Sequence, residues 1–257
     1  MGTQSYQPTI GERSMAELLG SFLLTFVGGG TAADVALLHR RTLAGVTPPI
    51  TQTPDLVLVA LAHGLILFVI VLVFGKISGA HVNPAITLGL ASIGQFRWSD
   101  VPGYLIAQFV GGILGALAIM IPFGRDIASI GQLGRPSLAP NTNLLQGLLA
   151  EALGAAILVL AVVATAADSR SPVGWAGLTI GLALGAGIML IGPATGAALN
   201  PQRAFGPDIV SIFFGAPSVD WVAFIVCYLI GPILGGIGVC WLYARVSRLP
   251  RPSFTRK

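Results

Sequence analysis

The chain has 257 residues, of which 54% are hydrophobic and only 9% charged. A soluble domain carries about 25% charged residues, so this few could not cover the surface of a soluble globule, and the apolar content equally excludes disorder. The net charge of +4 does not call for a nucleic-acid partner, because in a membrane protein lysine and arginine set orientation.

In chain order, apolar runs bounded by charges or turn residues predict spanning helices over 15–38, 55–74, 103–122, 144–168, 173–192 and 221–245. Each is near the roughly 20 residues that a bilayer core requires. The run 18–27, followed by the small-residue stretch 28–33 as a cleavage site, could pass for a signal peptide. The pair Glu12-Arg13 ahead of it, and the repeat described below, favour an uncleaved helix. With the N-terminus inside, nine basic residues (Arg13, Lys76, Arg97, Arg170, Arg245, Arg248, Arg251, Arg256 and Lys257) fall on the inner side. Five (Arg40, Arg41, Arg125, Arg135 and Arg203) fall outside, which predicts cytoplasmic termini in a plasma membrane. Cys227 and Cys240 share the last run. They stand about 20 Å apart along it, too far for a disulfide, and are read as packing thiols.

Two apolar segments, 84–92 and 201–213, are too short to span. Each begins with the same dipeptide, Asn83-Pro84 and Asn200-Pro201. Asn is a good N-cap and Pro a good first helical residue, so each predicts a half-helix of about 13–20 Å. An internal repeat links the pieces: Ala16-Glu17-Leu18-Leu19-Gly20 matches Ala150-Glu151-Ala152-Leu153-Gly154, and Gly79-Ala80-His81-Val82-Asn83-Pro84 matches Gly196-Ala197-Ala198-Leu199-Asn200-Pro201. The repeats divide the chain into 1–135 and 136–257. Each holds three spans, an odd number, so the halves must be inverted in the membrane. The expected fold is an all-α membrane protein of six transmembrane helices and two re-entrant half-helices that meet N-terminus to N-terminus near the midplane.

Two facing helix N-termini place positive charge in the middle of a path, repelling cations and hydronium. The amides of Asn83 and Asn200 can donate hydrogen bonds to a passing neutral molecule. Rise along the helices places His63 about 3 Å, Ile188 about 7 Å and Arg203 about 4–5 Å above the midplane. An arginine at membrane depth is costly unless it lines water or finds partners.

The segments Ser78-Gly79-Ala80-His81-Val82-Asn83-Pro84-Ala85 and Asn200-Pro201-Gln202-Arg203-Ala204-Phe205-Gly206-Pro207, with Glu17 and Glu151, resemble the aquaporin (major intrinsic protein) family over about residues 12–245. The resemblance implies a passive pore in each subunit of a homotetramer, conducting water or small neutral solutes across the lipid bilayer without a cofactor. It places His63, Ile188, Ala197 and Arg203 at the family's aromatic/arginine constriction. Together these four look like the ring of plant tonoplast proteins, which implies ammonia, urea or hydrogen peroxide besides water. Ala204 stands where glycerol facilitators usually have Asp, which speaks against a dedicated glycerol pore. Ala197 stands where mercury-sensitive members have Cys, so no mercury block is expected there. Gln202 departs from the usual alanine, and its longer, polar side chain bears on the packing between the two loops, which leaves the width at the Asn-Pro level open.

Glu17 and Glu151, as intramembrane acids, suggest a proton relay, but their symmetry and the resemblance assign them a structural role in accepting loop N–H groups. His81 either lines the inner path or braces the first loop. Lys76 is expected at the inner mouth, with Gly79, Ala80, Thr195 and Gly196 along the lining. The Gly111/Gly115, Gly181/Gly185 and Gly231/Gly235 pairs are expected at helix contacts. A proton-coupled transporter using Glu17, Glu151 and His63 is the rival from another class, since inverted repeats suit it too. Symmetric half-helices without a mobile-hinge pattern favour a channel. No catalytic or metal-ligand spacing suggests an enzyme.

Overall fold

The computed structural model describes residues 7–43, 55–215 and 217–250, and all regular structure among them is helical. In chain order the elements are α1 (Ile10–Arg40), α2 (Asp55–Ser78), the half-helix α3 (Pro84–Ser92), α4 (Trp98–Phe123), α5 (Leu144–Ala167), α6 (Ala176–Thr195), the half-helix α7 (Pro201–Phe213) and α8 (Trp221–Ser247). The six long ones are each long and apolar enough to cross a bilayer. Arg251, Arg256, Lys257 and the side chain of Arg41, used in the orientation count, lie outside the described residues.

Several boundaries differ from the sequence expectation, and three of them have a plain local cause. Helix α1 starts at Ile10 because Thr9 and Glu12 form a capping box, with Glu12 N–H on the Thr9 hydroxyl at 3.3 Å and Thr9 N–H on Glu12 Oε2 at 2.7 Å, satisfying donors that would otherwise fray. Helix α2 continues to Ser78 and carries Lys76 into its last turn, where a cation favours the helix dipole. Helix α6 starts three residues late, at Ala176. Pro172 and Gly174, the latter at φ 92°, suit the preceding turn better than a helix.

Helix α1 packs on α4, α5 on α8, and α2 on α6 across the repeat boundary; the half-helices exchange partners, α3 lying on α8 and α7 on α4. Close approach depends on glycine: a Cβ at Gly111 of α4 would stand 2.3 Å from the Leu18 carbonyl oxygen of α1, and one at Gly235 of α8 1.9 Å from that of Ala152 in α5. Leu65, Ile106, Ile121, Leu182 and Leu190 are exposed on the outside of the bundle, a surface that suits hydrocarbon rather than water.

The connection between α5 and α6 is tied down at Asp168. Both of its carboxylate oxygens accept from Arg170, and Oδ2 also accepts from Tyr243 Oη at 2.8 Å. Arg170 in turn donates to the Ser247 carbonyl at 3.0 Å. The Arg170 hydrogen bonds hold the Asp168 carboxyl below the usual carboxylate range. A depressed folded pKa stabilises the fold above the unfolded value, about 3.9, and that contribution is lost as pH falls through the folded value. Thermal unfolding in detergent should therefore show the stability gap between wild type and Asp168→Asn closing below about pH 4. A gap that persists undiminished into strong acid would show that the clamp does not act through the ionised carboxylate.

Candidate functional site

The loops ahead of the half-helices adopt an unusual backbone. In the first, Gly79, Ala80 and Val82 have φ of 88°, 49° and 41°; in the second, Gly196, Ala197 and Leu199 have φ of 73°, 49° and 53°. Residues other than glycine rarely take this left-handed region, and a β-branched residue such as Val82 least of all. The strain is held by buried acids. Glu17, fully buried, accepts from Ser78 Oγ (2.7 Å), His81 N–H (2.9 Å), Val82 N–H (2.6 Å) and Gln108 Nε2 (2.8 Å). Glu151, also fully buried, accepts from Thr195 Oγ1 (2.6 Å), Ala198 N–H (2.9 Å) and Leu199 N–H (2.7 Å). Tyr104 Oη donates to the Ser78 carbonyl at 2.6 Å and Tyr228 Oη to the Thr195 carbonyl at 2.8 Å. Two carboxyl oxygens offer about four lone-pair sites, so Glu17 has its acceptor capacity filled.

These loops aim the two asparagines at each other. Asn83 Oδ1 accepts from Ala85 N–H at 2.9 Å and Asn200 Oδ1 from Gln202 N–H at 3.1 Å, each capping its own half-helix. Asn83 Nδ2 donates to the Leu199 carbonyl at 2.9 Å, and Asn200 Nδ2 to the Val82 carbonyl at 2.8 Å. A side-chain amide has two N–H donors. One is spent on the opposite loop, leaving one per asparagine for the space between them. Pro84 and Pro201 occupy the first helical positions behind the caps, and Ala85 is fully buried.

Three spaces lie in series. A mouth of about 430 Å³ is lined by Ile188, Gly196, Arg203 and Arg135 among others. A central space lies against His63, Asn83, Asn200 and the apolar Leu67, Ile86 and Leu184. A vestibule of about 650 Å³ contains Lys76, Gly79 and Asp168. Arg203 borders both the mouth and the centre, and His81 both the centre and the vestibule. The centre leaves about 10 Å³ for the centre of a water molecule, at the lower limit for holding one water.

Where the mouth meets the centre, His63 is 2% exposed and Arg203 3%. His63 Nδ1 lies 2.8 Å from the Val59 carbonyl, and Arg203 Nε donates to His63 Nε2 at 3.3 Å. A carbonyl can only accept and the guanidinium can only donate, so His63 is the neutral tautomer protonated at Nδ1. The ring fits directly against Gly28, where a Cβ would stand 2.3 Å from His63 Cδ2. Arg203 Nη1 is buried with no hydrogen-bond partner among the described residues, leaving its N–H groups unspent. Ile188 borders the mouth together with Arg203, whereas His63 borders the centre.

The remaining candidates sit around this path rather than all along it. Ala197 is 2% exposed and borders neither the mouth nor the centre, whereas its neighbours Gly196 and Ala198 do. Thr195 turns its hydroxyl to Glu151, and Ala80 donates its N–H to Ser78 Oγ at 3.0 Å, so both support the lining from behind. His81 has both roles open to it from sequence: it borders the path, and its Nδ1 lies 3.1 Å from Thr87 Oγ1 with Phe96 and Tyr104 against its ring. Gln202 stands in the packing between the two loops rather than in the path. It is fully buried, borders none of the three spaces and points into the packing toward Thr25 and Gly112.

Sequence reasoning missed Gln108, Thr87, Gly28 and the tyrosine pair. Tyr104 follows Asn83 by 21 residues and Tyr228 follows Asn200 by 28. The second half-helix is longer, 13 residues against 9, so the repeat drifts out of register; aligning on Gly111-Gly112 and Gly235-Gly236 would have recovered the pair.

Residues 5–243 match the family model described as major intrinsic protein. The chain is 36% identical over 249 residues to a probable aquaporin AqpM of Archaeoglobus fulgidus, covering 93% of this chain and 98% of that one. It is 35% identical to aquaporin AqpM of Methanothermobacter thermautotrophicus, covering 88% of this chain and 93% of that one, and 32% identical to aquaporin NIP1-2 of Arabidopsis thaliana, covering 94% and 76%. Among solved structures, the aquaglyceroporin from Plasmodium falciparum superimposes with a TM-score of 0.77 at 28% identity, covering 93% of this chain and 97% of that one. With this match along nearly its whole length and two buried asparagines each reaching across to the opposite loop, the chain belongs to the major intrinsic protein family of membrane channels.

Proposed function

We propose that the chain is a passive pore for water that also passes ammonia, urea and hydrogen peroxide while excluding protons and other ions, acting as a homotetramer in the plasma membrane with both termini cytoplasmic. The observation that carries this reading is the central space, sized for about one water and flanked by one unspent N–H from each asparagine. A water oxygen there accepts from both amides, and its hydrogens are turned away along the path. The file of waters is interrupted as a proton wire, and the two helix N-termini oppose a cation at the same level. Arg203 adds fixed positive charge at the outer boundary.

The ring supports solutes somewhat larger than water. His63 spends its accepting Nε2 on Arg203, so it contributes ring edge rather than a free acceptor, and Ile188 gives an apolar wall. The basic excess on the inner loops supports the orientation. Proteoliposome stopped-flow scattering tests the reading: osmotic water flux well above empty vesicles and unaffected by a protonophore is the expected result, whereas solute uptake driven by a pH gradient would establish a coupled transporter instead. Glycerol is measured alongside, given the likeness to an aquaglyceroporin, and flux exceeding that of urea would replace this reading with a glycerol facilitator. Ile188→His should narrow the ring and lower the urea-to-water permeability ratio several-fold; an unchanged ratio would place the constriction elsewhere.

A further inference from the structure

One polar contact that distinguishes the two halves lies at Gln202. Gln202 stands where the first half has Ala85, and Thr25, eight residues beyond Glu17, stands where the second half has Val159, eight beyond Glu151. Thr25 Oγ1 donates to Gln202 Oε1 and Gln202 Nε2 donates to the Val82 carbonyl, each at 3.3 Å. The carbonyl can only accept, which fixes the amide's orientation. Thr25 and Gln202 are fully buried. Gly112 of α4 admits the side chain, since a Cβ there would stand 2.3 Å from Gln202 Oε1 and 2.7 Å from its carbonyl oxygen.

The Val82 carbonyl thus takes two side-chain donors, Asn200 and Gln202, whereas the corresponding Leu199 carbonyl takes Asn83 alone. The extra donor falls in the half where the left-handed position is filled by a β-branched residue, Val82 at φ 41° against Leu199 at φ 53°. Val is the costlier of the two there, because its second Cγ crowds the backbone.

We propose that Gln202 is a positioning residue for permeation: anchored by Thr25, it holds the Val82 carbonyl in place against the strain of that residue, and so keeps Asn200 aimed at the path. The inference rests on the pore reading above. Gln202→Met keeps nearly the same volume against Gly112 and removes both hydrogen bonds. A hydrogen bond of ordinary net worth biases a local equilibrium about five-fold, so per-channel water permeability should fall by about that factor. In the Val82→Leu background, where the residue copies the half that does without a second donor, the loss caused by Gln202→Met should largely disappear.

Permeability is read in proteoliposomes at matched protein content, with thermal unfolding of the same samples in detergent. A Gln202→Met channel that conducts like wild type overturns the inference, as do equal losses in the two backgrounds, which would mean that Gln202 acts through packing alone. Should Gln202→Met fail to assemble, Thr25→Val, which only frees the anchor, is taken through the same cycle with the same two criteria. A wild-type protein that adds no water flux fails the pore reading, an outcome distinct from any difference among the variants.

Discussion

Glu17→Ala is expected to leave the chain unable to form a stable channel. The substitution strips partners from two backbone N–H groups, the Ser78 hydroxyl and the Gln108 amide, all inside the bundle. Each buried donor left unpaired costs about 1–3 kcal/mol, so the sum over four donors, roughly 4–12 kcal/mol, rivals the whole stability of a typical domain. The left-handed residues Ala80 and Val82 would then lose what holds them and relax toward ordinary backbone, moving Asn83 from the path. Glu17→Gln keeps one accepting oxygen but turns an amino group toward N–H donors, so it should lie between. Size-exclusion profiles and thermal unfolding in detergent measure the effect: aggregation or a large fall in Tm is expected for Glu17→Ala and Glu151→Ala, and a variant with wild-type Tm would remove the acids from the structural account. A proton carrier would give the opposite pattern, with a well-folded Glu17→Ala protein that has lost only pH-dependent transport.

The reasons the sequence was informative in some places and not in others are physical. The half-helices were legible to the residue because Asn at a cap and Pro at the first helical position act through local backbone chemistry alone, and the structure begins α3 at Pro84 and α7 at Pro201. The spans were legible because burial in hydrocarbon is a property of composition over about 20 residues. Helix starts were less so: the capping box at Thr9 lies in a polar stretch where hydropathy carries no signal, and the late start of α6 depends on a turn at Gly174. Gln202 shows the limit most clearly. Its position in the motif suggested the path, yet whether a side chain at that position faces the path or the packing depends on the room left by Gly112, 90 residues away in sequence. Likewise the tautomer of His63 follows from Val59 and Arg203 together, and only the first is a neighbour in the chain.

The constriction supplies the second large effect, through a residue that never touches the permeant. Gly28 lies in the segment Leu24–Gly29, where α1 departs from regular α-helical winding, and a methyl group there would stand 2.3 Å from His63 Cδ2, 2.5 Å from Nε2 and 2.7 Å from Cγ. All three contacts are with one ring whose Nδ1 is tethered to the Val59 carbonyl, so the ring cannot slide along its own helix. It must swing off Arg203 into the space beside Asn83 and Asn200, where there is room for about one water. Overpacking of this kind typically costs 1–3 kcal/mol, which a folded channel survives, but the same displacement obstructs the file. Gly28→Ala should therefore assemble with a modestly lower Tm while water permeability falls by about an order of magnitude, the size of effect that some 1.4 kcal/mol of added barrier produces. Combining it with His63→Ala removes the ring that the methyl group displaces and should restore flux, together with a rise in urea permeability as the constriction opens. A Gly28→Ala channel with wild-type flux, or a double variant that stays closed, would show that the ring's position against α1 does not set the width of the pore.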